Sequence, residues 1–215
     1  FGVVDGLALI GTQAEVQRSA APEQLDLALT ELRERAAAPG FHGDLVLVIG
    51  ENGLDLAPRL GLPPQLLLKG GNWLGPLLVA AAEAGARRLL LFGYQGKLIK
   101  LAGGIFHTHH HLADGRAEVL TALAALEGLG GEALQGLHGA PTVEAALSEL
   151  ARTDPALAQR LRFRIAAAVE ARSRAYLARY GHSGLAVGAV LFDRSRQVCA
   201  LGPVGDGLFR SLGGS

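Results

Sequence analysis

The sequence predicts an α/β fold: a mainly parallel sheet flanked by helices, Rossmann-like but non-standard, with C-terminal helices and a short closing hairpin. Three observations carry that expectation. The run "LVLVI" at residues 45–49 is continuously apolar, as in a strand buried on both faces of a parallel sheet. Helical stretches alternate with such runs. Glycine-bearing loops follow the strands, at the sheet edge where ligands of such folds bind.

The elements follow in order. Residues 7–10 form a short buried strand, and Gly11 and Thr12 open a polar loop after it. Residues 22–38 form a helix. Pro22 suits its first turn, Glu23 and Asp26 favour its N-terminal end, and Leu25, Leu29 and Leu32 recur at helical spacing. Pro39-Gly40 stops it. After the strand at 45–49, "GENG" (50–53) makes a tight turn. Residues 66–68 are a third strand, and "KGGN" leads into a helix over 73–84. Residues 88–92 are a fourth strand, and 114–126 are helical, with Val119, Leu123 and Leu126 on one side. The Gly-rich stretch 126–141 is expected to be a flexible connection. Helices follow at 142–151 and 155–180. Residues 186–192 and 198–201 pair as a hairpin around the turn "DRSR". The expected organisation is an α/β domain over 1–128, with a helical segment and terminal hairpin over 129–215 packed on the same unit.

Composition narrows the function. Of 215 residues, 49% are hydrophobic, enough for a sizeable core, and the formal net charge is +0. Neutrality gives no sign of a nucleic-acid or anionic-membrane partner. The apolar runs fall well short of the ~20 residues of a membrane span. One cysteine, Cys199, excludes an internal disulfide and suits a reducing, cytoplasmic setting. The chain starts at Phe1 and has no methionine, so it is expected to be a processed chain or fragment that lacks an N-terminal domain.

The chemistry concentrates in "GYQGKLIKLAGGIFHTHHHLADGR", residues 93–116. Lys97 and Lys100 share a face if the segment is helical. With Arg87, Arg88 and Arg116, they make the window 85–116 locally basic, a signature of anion binding. His107, His109 and His111 share a face on a strand, whereas His107 and His111 lie one turn apart on a helix. Imidazole is a common metal ligand, but Asp114 is the only acid nearby. The same histidines can equally serve as a base, as hydrogen-bond donors to an anion, or as solvated filler. The glycine loops match neither a Walker P-loop nor a complete dinucleotide fingerprint. Two readings of these residues stay open: a metal-dependent hydrolase built on His107, His109, His111 and Asp114, and a non-catalytic nucleotide-binding module.

The joined segment resembles the CbiD family, the cobalt-precorrin-5B methyltransferases of anaerobic cobalamin synthesis. The matching positions are Gly93, Tyr94, Gly96, Lys97, Lys100, Ala102 and Gly104, then Thr108, His109, Ala113, Asp114, Arg116 and Glu118. "GLALIGTQAEV" resembles a further family segment, although Ala14 stands where the family has another glycine. Asn52 and Asn72 match its Gly/Asn turns. The resemblance implies transfer of a methyl group from S-adenosylmethionine to C-1 of cobalt-precorrin-5B, giving cobalt-precorrin-6A. It implies an anionic corrinoid partner, no metal held by the protein itself, and leaves a homo-oligomer open. Under that implication Lys97, Lys100, Arg116 and Thr108 hold the substrate, and His109 acts as a base oriented by Asp114. Gly11, Thr12, Gly50, Asn52, Gly53, Asn72, Gly93 and Gly96 then form the loops for the methyl donor.

Overall fold

A computed structural model describes residues 22–109 and 113–214. The strand expected at 7–10, the Gly11-Thr12 loop, His110 and His111 lie outside the described residues.

The first helix, α1, spans Pro22–Ala37. Strand β1 (Asp44–Ile49) follows it, then α2 (Glu51–Arg59). A short 3-10 turn (Pro64–Leu66) leads into β2 (Leu67–Lys69), then α3 (Leu74–Glu83), β3 (Arg88–Tyr94) and α4 (Gln95–Ala102). Beyond them come α5 (Arg116–Leu126), α6 (Gly131–His138), α7 (Val143–Thr153) and the long α8 (Pro155–Arg179). The chain closes with β4 (Ala186–Phe192), β5 (Val198–Leu201) and α9 (Gly205–Ser211). The described strands form one sheet in the order β2-β1-β3-β4-β5. All neighbours are parallel except β4 and β5, which form the expected hairpin.

Strand alternation divides the core into two layers. Leu45, Leu47, Ile49, Leu89, Leu91, Val187 and Leu191 face one way, against Leu74, Leu77, Leu98, Leu161 and Ile165 of α3, α4 and α8. Val46, Val48, Leu90, Phe92, Val190 and Phe192 face the other, against Leu56 of α2 and Leu208, Phe209 and Leu212 at α9. This two-sided burial explains why β1, β3 and β4 are continuous apolar runs.

Two expectations need correction. "GENG" is not a closed turn, because Glu51 starts α2. Gly50 takes φ 97 as the N-cap, and the absent Cβ of Gly53 lets the helix lie on β1, where a Cβ would come 2.6 Å from Val48 Cγ1. The stretch 126–141 is not a flexible connection throughout. It holds α6, whose Leu137 is buried against the main core. Its glycines hid that helix, since propensity is overridden where an apolar side chain finds a core. Two further helices, α4 and α9, had no clear sequence signal. The tight packing of Gly205 against Ala189 fixes α9, since a Cβ there would overlap the Ala189 carbonyl.

A buried carboxylate joins the C-terminal elements. Glu170 of α8 is 1% exposed and accepts backbone N–H groups from Ala189 (3.0 Å), Val204 (3.0 Å) and Gly205 (2.7 Å). It thereby ties α8, β4 and the start of α9 together and satisfies donors that the helix leaves orphaned.

Candidate functional site

The sheet order creates a topological switch. From β1 the chain turns outward to β2, then crosses back to β3 on the other side of β1. In open α/β sheets the crevice beyond the carboxyl ends of the strands flanking such a point is where ligands sit. Here those ends carry Gly50-Glu51 after β1 and Tyr94-Gln95 after β3, with Lys69 closing β2.

A second chain segment completes the crevice. Trp73 and His107 form an isolated antiparallel bridge. Leu74 N donates to Phe106 O (3.0 Å), and Thr108 N donates to Asn72 O (2.9 Å). The Thr108 hydroxyl bonds Asn72 Oδ1 at 3.1 Å, and both residues are buried. The segment before α3 and the segment after α4 are thus clipped together, with the first N–H groups of α3 satisfied by the Phe106 carbonyl.

The result is a cleft of about 420 Å³. Gln24, Glu31, Glu51, Lys69, Asn72, Lys97, Thr108 and His109 supply its polar side chains, Gly50 its open backbone, and Leu25, Leu27, Ala28, Trp73 and Leu77 an apolar wall. Gly50 leaves open space where a Cβ would stand. Lys69 pairs with Glu51. Lys97 is half-buried and, among the described residues, makes neither an ion pair nor a hydrogen bond. Burial pushes its ammonium pKa down, Lys100 and Lys69 push the same way, and Glu51 opposes them.

The other sequence-selected residues fall elsewhere. Lys100 is 1% exposed, and its ammonium donates to the carbonyls of Thr108 (3.0 Å) and Ala113 (2.7 Å). It anchors both ends of the histidine-bearing loop. Asp114 pairs with Arg116 through both carboxylate oxygens, each at 2.7 Å. That hydrogen-bonded pairing holds the Asp114 pKa down to about 2. Both line a separate cavity of about 270 Å³ with Leu137 and Thr142. Asn52 Oδ1 accepts from Arg196 in the β4–β5 turn. At Gly93 a Cβ would come 3.0 Å from Ile49 Cβ and 3.1 Å from Leu98 Cγ, and at Gly96 it would meet the Tyr94 ring at 2.7 Å. These two glycines let α4 pack down on β1 and β3.

The histidines divide as well. His109 is 6% exposed and lines the cleft. His107 stands edge-on to Trp73, ring centroids 4.2 Å apart. Among the described residues, Trp73 Nε1 and both His107 ring nitrogens are buried with no hydrogen-bond partner. Burial lowers the His107 pKa, with His109 adding to the effect, so the ring is neutral at neutral pH. Among the described residues no group of three or more His, Cys, Asp or Glu side chains is placed to hold a metal ion. None of their helices is long and apolar enough to cross a membrane.

Lys69, Glu51 and Trp73 were not singled out from the sequence. The available signal was a lysine directly after a short apolar strand, in a loop that glycines made look like a simple turn.

Comparison with known proteins agrees with this geometry. Residues 107–203 match the family profile described as CbiD, C-terminal domain. A cobalt-precorrin-5B C(1)-methyltransferase of Prochlorococcus marinus (strain MIT 9303) is 61% identical over 213 residues, 99% of this chain and 55% of the relative. One of Parasynechococcus marenigrum (strain WH8102) is 64% identical over 212 residues, 99% of this chain and 58% of the relative. The chain therefore spans little more than half the length of these relatives. No solved structure matches it. The chain is thus similar to the CbiD C-terminal domain over residues 107–203 and, over nearly its whole length, to little more than half of these methyltransferases.

Proposed function

We propose that this chain forms part of a cytoplasmic enzyme that methylates C-1 of cobalt-precorrin-5B, with S-adenosylmethionine as donor, in cobalamin biosynthesis. The observation that carries the reading is the cleft at the β1/β3 switch, where Gly50, Asn72, Lys97, Thr108 and His109 converge. All five are residues that the sequence pattern marks as site candidates. The relatives' names supply the reaction.

The residues fit both reactants. The open face at Gly50 and the unpartnered Trp73 Nε1 leave room and an unused donor for the methyl donor. S-adenosylmethionine supplies an electrophilic methyl group on sulfur, and C-1 of the ring supplies the electron pair of the new carbon–carbon bond. Such a transfer depends above all on in-line positioning. Lys97 holds a substrate carboxylate by a charge-assisted hydrogen bond. Arg116 offers a second cationic contact at the neighbouring cavity, and Lys100 acts through the loop it anchors. His109 stands at the cleft wall, where it accepts or donates a proton to the ring.

Calorimetric titration of the 215-residue chain with S-adenosylhomocysteine, ATP and NAD tests the reading. Binding of S-adenosylhomocysteine alone is expected. Binding of ATP or NAD without S-adenosylhomocysteine overturns it in favour of a general nucleotide-binding module.

A further inference from the structure

Four side chains that line the cleft are charged: among the described residues Glu31 pairs with Arg35 and Glu51 with Lys69, which leaves Lys97 with neither an ion pair nor a hydrogen bond. A half-buried ammonium without a partner is costly, because burial removes water without supplying a compensating hydrogen bond. The lowered pKa of Lys97 reflects that cost. An arriving anion relieves it.

The positions of the three charges follow from the sheet. Lys69 ends β2 and Lys97 begins the helix after β3, one strand to either side of β1. Neighbouring strands lie about 4.8 Å apart, so the two backbone origins are on the order of 10 Å apart. Two extended lysine side chains close that gap around a single carboxylate. Glu51, the first residue of α2 and two residues beyond the end of β1, emerges between them. Its carboxylate is on Lys69 and is felt by Lys97. Glu51 is also the more exposed partner, at 75% of its side-chain area against 49% for Lys69, so it is free to swing into solvent.

We infer that Lys69 and Lys97 form a two-jawed seat for a carboxylate on the rim of the corrinoid, and that Glu51 keeps the seat filled until the substrate displaces it. This inference rests on the reading given under Proposed function and deepens it, naming the group that enters the cleft. Size supports a rim rather than a whole macrocycle. At about 420 Å³ the cleft lies near the small end of the range of about 300–1,000 Å³ for small-molecule sites. The apolar wall of Leu25, Leu27, Ala28, Trp73 and Leu77 opposes the lysines. A carboxylate arm with the adjoining apolar ring edge matches that division.

The test uses the 215-residue chain, cobyrinic acid as a stable polycarboxylate corrinoid, and its heptamethyl ester as the uncharged control. Equilibrium dialysis reads binding from the corrinoid's own absorbance. Quenching of Trp73, the single tryptophan, locates binding at the cleft. The acid is expected to bind and quench, and the ester to bind at least tenfold more weakly. Lys97→Ala and Lys69→Ala are each expected to weaken the acid by about five- to twentyfold, and Glu51→Gln to tighten it about two- to fivefold. Equal binding of acid and ester overturns the inference, as does a Glu51→Gln variant that binds more weakly than the parent. If S-adenosylhomocysteine binds the parent while Lys69→Ala leaves cobyrinic acid affinity unchanged, the inference falls and the methyltransferase reading stands. If neither S-adenosylhomocysteine nor cobyrinic acid binds, both fall.

Discussion

Lys100 illustrates how a residue type can be legible while its task is not. The sequence marks it as a cation three residues from Lys97, and on the helix the two diverge. Lys97 faces the cleft, whereas Lys100 is enclosed and spends two donors on carbonyls at either end of the histidine loop. Lys100→Met is expected to cost about 2–3 kcal/mol, since two carbonyls lose a charged donor. Thermal unfolding should show a fall of roughly 5–10 °C. Asp114 gives a pH prediction. Its folded pKa of about 2 lies below the ordinary 3.8, so the stabilisation from its Arg116 pair is complete above about pH 4 and is lost as the pH falls toward 2. Asp114→Asn should therefore lower the melting temperature slightly at pH 7 and leave it unchanged near pH 2. His107 works in the opposite sense to a paired histidine. Its lowered folded pKa means that stability falls as the pH drops below 6.5, because the unfolded chain takes up the proton more readily. His107→Asn should flatten the acid limb of the stability profile below about pH 6.5.

Among the elements, packing decides what the glycines do. Gly93, Gly96 and Gly53 look alike in sequence to Gly50, since all follow strands. In the fold, three of them receive a neighbouring element, and only Gly50 opens onto the cleft. Gly93→Ala is expected to destabilise by about 1–3 kcal/mol, because a Cβ there presses on Ile49 and Leu98. Gly50→Ala instead meets no atom and strains only the backbone at φ 97. Denaturant titrations of the two variants distinguish a packing glycine from a conformational one: Gly93→Ala should lose more stability, and Gly50→Ala should alter ligand affinity more. Helices α7 and α8 were legible because their ends carry side-chain caps, Thr142 to Ala145 N at 3.0 Å and Asp154 to Leu157 N at 2.9 Å. Helix α9 lacks such a cap. The Glu170 carboxylate, more than thirty residues away in the chain, does that work.

On the scale of the whole molecule, the described sheet draws its strands from both sides of residue 128. β4 pairs with β3 over the full length from Arg88–Ala186 to Tyr94–Phe192. Helix α8 covers one face of the strands and α9 the other. A chain cut after residue 128 leaves β3 as an exposed edge and both apolar layers partly uncovered, an arrangement prone to aggregation. Such a truncation is expected to show no cooperative thermal transition, and a dispersed amide NMR spectrum from it would contradict that expectation.

The sequence by itself determined the fold class, the places of the long apolar strands and the family resemblance. These depend on local periodicity and on residue patterns that can be read without knowing what touches what. Only the tertiary structure decided which selected residues become neighbours. The β2-β1-β3 order brings residues 50, 69, 97 and 109 into one cleft, and sends Arg116 and Asp114 to another. That outcome depends on strand order and on contacts between distant segments, such as the Asn72–Thr108 clip. No window along the chain contains both partners of such contacts.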